Sequence, residues 1–119
     1  MKPIYIKTIP HKEQRYPTAG DWYDKYGETI VNVSELGDED MEFVVGIHEL
    51  IEQYLCRKNK ISDKQVTDFD LEHLDHSNPG DLHDAPYHKE HMVATVVEML
   101  LIKELDIDLE KYEMKLGGL

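Results

Sequence analysis

Gly46-Ile47-His48-Glu49-Leu50-Ile51-Glu52 reads H-E-x-x-E inside an apolar run, and the rest of the chain is read outward from it. On an α-helix, side chains four residues apart stand one above the other on one face. His48 and Glu52 are therefore predicted to point the same way, one turn apart, as two ligands of a metal ion must. Glu49 is rotated from His48 by about 100° at 3.6 residues per turn. That puts it at the edge of the face, which suits an acid/base group beside an activated water better than a third ligand.

The flanking residues give this helix its sides. Met41, Val44, Val45 and Leu55 share the face of His48 and Glu52, and Phe43, Ile47, Leu50 and Tyr54 extend the apolar surface. Glu42, Glu49, Gln53 and Arg57 mark the side expected to be wet. An imidazole and a carboxylate thus sit within an apolar stripe, where buried polar groups need partners. Two arrangements satisfy them: a shared metal ion, or hydrogen bonds to each other or to a neighbouring helix. The helix is predicted from an Asp38 N-cap to Arg57 or Lys58, with Asn59 as its stop. Its acidic first turn and basic last turn both suit the helix dipole.

Upstream, Lys2 to Ile9 reads as a strand through Ile4, Tyr5 and Ile6. Pro10 to Gly20 is a loop, Trp22 to Tyr26 a second strand, Gly27-Glu28 a turn and Thr29 to Val33 a third strand. These predict a small, largely antiparallel sheet built around a hairpin. Downstream, Ile61 to Leu74 is a short helix capped by Ser62, with Val66, Phe69 and Leu74 apolar. Its acids read as a solvated face, except that Asp70, next to Phe69, can reach a site. His76 to Pro86 is a loop. Five of the seven histidines fall between His73 and His91; such a tract can bind metal, but His73, His76 and His83 are expected to be solvated.

A second long helix is predicted from Tyr87 to Leu105, with Pro86 suited to its first turn. His91, Thr95, Glu98 and Ile102 line one side, while Val93, Val96, Val97, Leu100 and Leu101 make it apolar almost all round, as expected of a central helix. Asp106 to Leu119 reads as a connection and a fraying helical tail. The expected fold class is α+β: a small antiparallel sheet of about three strands packed on two long helices plus one short helix, in a single domain of residues 1–119.

Composition narrows the partners. Twenty-five acids against 13 bases give a net charge of -12. That argues against binding a nucleic-acid backbone or an anionic membrane through general electrostatics. Hydrophobic content of 40% and charged content of 32% are ordinary for a globular chain. Cys56 is the one cysteine, so no intramolecular disulfide can form, and a cytoplasmic location is expected. Cys56 itself is expected to be a small semi-buried residue. Neither a secretory leader nor a run of the ~20 apolar residues of a membrane span is seen.

If the two long helices pack with their polar-bearing faces together, His48, Glu52 and His91 form a ligand set. Three mixed nitrogen and oxygen ligands with one open position suit catalytic zinc, and iron, manganese or nickel share these ligand types. Glu49 is then the general base, and Glu98 or Asp70 orients a ligand histidine from behind. His88, one turn before His91 and nearer the helix start, is the alternative ligand.

His48-Glu49-Leu50-Ile51-Glu52 resembles, in minimal form, the H-E-x-x-H helix of zincin metallopeptidases. The resemblance implies a zinc-dependent, peptidase-like hydrolase. His48 is then the first ligand, Glu49 the base, His91 the third ligand, and a peptide substrate pairs with the edge of the sheet. Glu52 departs from the pattern by standing where the second histidine belongs, and an extra negative ligand makes a metal a weaker Lewis acid. Pro10-His11-Lys12-Glu13-Gln14-Arg15-Tyr16 and Ala85-Pro86-Tyr87-His88 resemble small proteins of bacteria and phages, which implies a phage or prophage origin and brings no activity with it.

Two rival readings belong to other classes. In a magnesium-dependent nucleotide pyrophosphatase, Glu49, Glu52 and Glu98 would hold the metal, but basic residues near them are scarce and a second paired-acid motif is missing. A di-metal carboxylate bundle would need Glu-x-x-His pairs, which are absent. In a non-catalytic phage accessory or interaction protein, the polar groups would fix the core.

Overall fold

Thr29, Val31 and Val33 alternate with Ile30 and Asn32 and are all buried, which sets one face of the central strand against a helix. The computed structural model describes residues 1–119 and has three strands: β1 (Ile4–Ile9), β2 (Gly20–Lys25) and β3 (Glu28–Ser34). Their order is β1-β3-β2. β2 and β3 form the expected hairpin, antiparallel from Lys25 opposite Glu28 to Gly20 opposite Val33. The turn is Tyr26-Gly27 rather than Gly27-Glu28, with φ of 51° and 78°, the paired positive values of a tight hairpin turn.

β1 departs from expectation. It pairs parallel with β3, from Ile4 opposite Thr29 to Ile9 opposite Ser34, so the sheet is mixed rather than largely antiparallel. The chain between β1 and β2 crosses to the far edge of β3, and apolar alternation within a strand carries no information about pairing direction. The crossing segment is tied down: Gln14 Nε2 donates to the Asn32 carbonyl at 3.2 Å, and Arg15 grips Asp21 through two bonds of 2.7 and 2.8 Å.

Four helices follow, α1 (Glu39–Lys58), α2 (Asp63–Glu72), α3 (His88–Glu104) and α4 (Leu109–Gly117). Asp38 caps α1 by accepting from Met41 N at 3.0 Å, and Asn59 ends it. Ser62 caps α2 in a reciprocal box with Gln65. α1 lies between the sheet and α3, so its buried arc is wider than a two-sided wheel predicts. Gln53, expected to be wet, is buried and donates to Thr29 Oγ1 at 3.1 Å. Glu49 is half-buried. Phe43 and Tyr54 instead face solvent. At Gly46 the helix nearly touches the sheet: an added Cβ would stand 3.1 Å from Ile6 Cγ2 and 3.4 Å from Val33 Cγ2.

α3 is not central all round. Its polar-bearing side packs on α1, whereas Val93, Val96 and Leu100 are exposed. The tail does not fray: Asp108 caps α4 through Lys111 N at 3.0 Å, and Tyr112 is 1% exposed. Cys56 is fully rather than partly buried, and burial pushes its thiol pKa up. No helix is long and apolar enough to cross a membrane.

Candidate metal centre

The α1–α3 contact brings His48, Glu52 and His91 into one buried group. His48 Nε2 stands 3.3 Å from Glu52 Oε2 and 3.3 Å from His91 Nδ1, and His91 Nδ1 stands 2.9 Å from Glu52 Oε2. The other polar atom of each residue is already held. His48 Nδ1 donates to Glu98 Oε1 at 2.7 Å, His91 Nε2 to Asp81 Oδ1 at 3.0 Å, and Trp22 Nε1 to Glu52 Oε1 at 3.0 Å.

These outer bonds decide what faces inward. A carboxylate only accepts, so the hydrogens of neutral His48 and His91 sit on the nitrogens turned toward Glu98 and Asp81. Each ring then presents a lone pair to the other and to the anionic Glu52 Oε2. Three acceptors within 3.3 Å of one another repel unless positive charge lies among them. Protons can supply that charge, and so can a metal ion. Ligands 2.0–2.2 Å from a tetrahedral zinc stand about 3.4 Å apart, so this triangle needs to open only by a few tenths of an ångström, mainly along the Glu52–His91 edge. A carboxylate behind each histidine is the usual support of a metal-binding imidazole.

The charges respond to the same geometry. Burial opposes the His48 imidazolium, yet hydrogen bonds to Glu52 and Glu98 hold its pKa up to about 11. Burial likewise opposes the Glu52 carboxylate, and the two histidines draw its pKa down to about 2. Glu98 is lowered against burial by His48. Glu49 goes the other way: burial, then the neighbouring Glu52 charge, push its pKa well above the ordinary carboxylate value.

Glu49 shares a cavity of about 600 Å³ with the three clustered residues. Its side chain fits because Gly20 has no Cβ; one there would lie 2.6 Å from Glu49 Cγ and 2.9 Å from Oε1. On the wall, Asp70 accepts from the Tyr16 hydroxyl at 2.7 Å and from the Tyr87 hydroxyl. Asp70 therefore reaches the site but bonds neither clustered histidine, and the orienting role expected of Glu98 or Asp70 falls to Glu98. His88 is not in the cluster. Its Nδ1 donates to the Gly80 carbonyl at 2.9 Å and so ties down the loop in front of His91.

Sequence alone does not single out Trp22, which holds Glu52, nor Asp81, Gly80 and Tyr112. Asp81 sits in a short turn, Pro79–Asp81, ten residues before His91, and loops have no period that shows where they reach. Gly80 lets that turn lie on the imidazole; a Cβ there would be 2.5 Å from His91 Cγ. Tyr112 donates to Glu98 Oε2 at 2.6 Å. Its signal was present, since Tyr112 and Leu116 one turn apart behind the Asp108 cap give α4 a face to dock. In comparisons with known proteins, no family model, no curated protein and no solved structure matches this chain.

Proposed function

We propose that this protein is a metal-dependent hydrolase of peptidase type, with zinc held by His48 Nε2, Glu52 Oε2 and His91 Nδ1 and with Glu49 as the general base. One observation carries the proposal: three atoms able to ligate a metal, each on a residue fixed from behind by another hydrogen bond, converge within 3.3 Å. A zinc ion there would supply charge to polarise a carbonyl and lower the pKa of water. The chain's own residues do the rest. Glu49, with its raised proton affinity and no hydrogen-bond partner, takes a proton from the attacking water and passes it to the departing nitrogen as the carbon–nitrogen bond breaks. The H-E-x-x-E helix packed beneath a three-stranded sheet supports a minimal zincin-like reading.

Metal content by native mass spectrometry, with cleavage of a peptide library, tests this. One zinc per chain is expected in the parent protein and in Glu49→Gln, and none in His48→Ala. Cleavage is expected in the parent alone. Full zinc retention by His48→Ala would overturn the assignment.

A further inference from the structure

The outer side of α3 is apolar where a surface helix is expected to be polar. One side of this helix packs on α1 and on the Pro79–Asp81 turn. Away from those contacts, Met92, Val93, Val96, Met99 and Leu100 are between 39% and 63% exposed. Glu98, the only charged residue between Met92 and Ile102, is turned inward to His48. At 3.6 residues per turn the five fall within an arc of about 120°, an amphipathic stripe that faces water instead of a core. Together they expose about 450 Å² of apolar surface, the size at which a contiguous patch marks a contact surface. None of the five lines the cavity beside His48 and His91, so covering the stripe leaves that cleft open.

The order of the residues names the occupant. Val96 is the centre of the stripe: apolar residues stand three and four positions before it, at Val93 and Met92, and three and four after it, at Met99 and Leu100. Lys89 and Lys103 close the two ends, each seven positions from Val96. A stripe that reads alike in both directions is self-complementary about a twofold axis, which is what an isologous dimer requires. We infer that α3 pairs antiparallel with α3 of a second copy of this chain, the two helices crossing at Val96. Met92 then packs against the partner's Leu100 and Val93 against the partner's Met99, along the three- and four-residue ridges that interlock between helices. Antiparallel pairing also sets opposite ends of the two helix dipoles together. Val97 and the stems of Lys89 and Lys103 border the stripe, extending the contact toward the roughly 800 Å² per partner of a standard interface. The lysine heads meet like charges at the ends of the contact, and each chain carries a net charge of -12. Apolar burial therefore works against charge repulsion, and the dimer tightens as salt screens it.

Sedimentation equilibrium of the full chain tests this without reference to metal or activity. At roughly 100 μM, well above the dissociation constant of a micromolar interface, a dimer is expected, and it should tighten with added salt. Val96→Glu sets two carboxylates against each other on the axis and should raise the dissociation constant about thirtyfold or more, the scale of a central interface residue. Val96 is 59% exposed, so the substitution leaves the fold in place, which circular dichroism checks. Single cysteines read the register, because the native Cys56 is fully buried. Met92→Cys should form an intermolecular disulfide with Leu100→Cys in a mixture of the two variants, and not with itself. A monomer at roughly 100 μM would leave the face to a different chain and overturn the inference. A dimer that Val96→Glu leaves unchanged, or one that loosens with salt, would place the contact on another surface and overturn it as well. Self-crosslinking of Met92→Cys would overturn the antiparallel arrangement.

Discussion

The Tyr112 hydroxyl donates to Glu98 Oε2 at 2.6 Å while the other oxygen of that carboxylate accepts from His48 Nδ1 at 2.7 Å. The C-terminal helix is thereby linked to the candidate metal site through one carboxylate. Tyr112→Phe leaves the ring's packing in place and removes only the donor, so Glu98 can swing and His48 loses its fixed orientation. Zinc affinity should fall about tenfold, as for other supporting hydrogen bonds behind ligand histidines, with a stability cost of about 1–2 kcal/mol. Competition with a chromogenic chelator measures the first and urea melts the second. A stability loss with unchanged zinc affinity would make α4 a strut only.

Gly80 tests the other histidine. A methyl group there would stand 2.5 Å from His91 Cγ and 2.6 Å from Nδ1, so either the imidazole or the Pro79–Asp81 turn must move. Either shift pulls His91 Nδ1 from Glu52, or Asp81 from His91 Nε2. Gly80→Ala is expected to lower zinc affinity by about tenfold or more and to destabilise by about 1–3 kcal/mol, the usual scale of overpacking. Gly117→Ala is the control, since nothing lies within 4 Å of an added Cβ there. Equal zinc affinities for the two variants would show that the loop yields without disturbing the ring.

Local signals did most of the work in the sequence reading. The Asp38 and Ser62 caps place the starts of α1 and α2, and the four-residue spacing of His48 and Glu52 places both on the buried side. What was lost depended on neighbours distant in sequence. The direction of β1 is set by a chain crossing rather than by its own alternation. The burial of Gln53 follows from α1 having partners on two sides, which a single helical wheel does not contain. Asp81 reaches His91 from a turn, and turns carry no periodic pattern to extrapolate.

Gly20 separates metal binding from chemistry. Its missing side chain is the space occupied by Glu49 Cγ and Val45 Cγ1, at 2.6 and 2.9 Å from the Cβ that alanine would add. Gly20→Ala must push Glu49 while leaving the three clustered residues in place. Zinc content should stay at one per chain, and hydrolysis should fall by about a hundredfold, the penalty for a misplaced catalytic group. Loss of zinc in this variant would mean that Glu49 and the cluster move as one unit, and the proposed division of roles would fail.

The pH dependence should be steep without metal and nearly flat with it. In the metal-free chain burial opposes the His48 imidazolium, but hydrogen bonds to Glu52 and Glu98 raise its pKa from 6.5 to about 11. A pKa raised on folding contributes stability that is complete below 6.5 and is lost as pH rises toward 11. Glu52 is drawn from 4.5 down to about 2 by the histidines, against burial, so its contribution is complete above 4.5 and is lost as pH falls toward 2. His48 and Glu52 together contribute most between 4.5 and 6.5; above that window the His48 contribution is lost by up to about 1.4 kcal/mol per pH unit, and the raised Glu49 pKa adds a loss of the same sign. Zinc must displace the His48 proton, so its affinity should rise with pH over the same interval, by up to about tenfold per unit. Urea melts in chelator and in excess zinc, taken from the window upward, should diverge steadily. Parallel curves would mean that His48 gives up no proton when zinc binds, and with it the claim that both occupy the same point between the two helices.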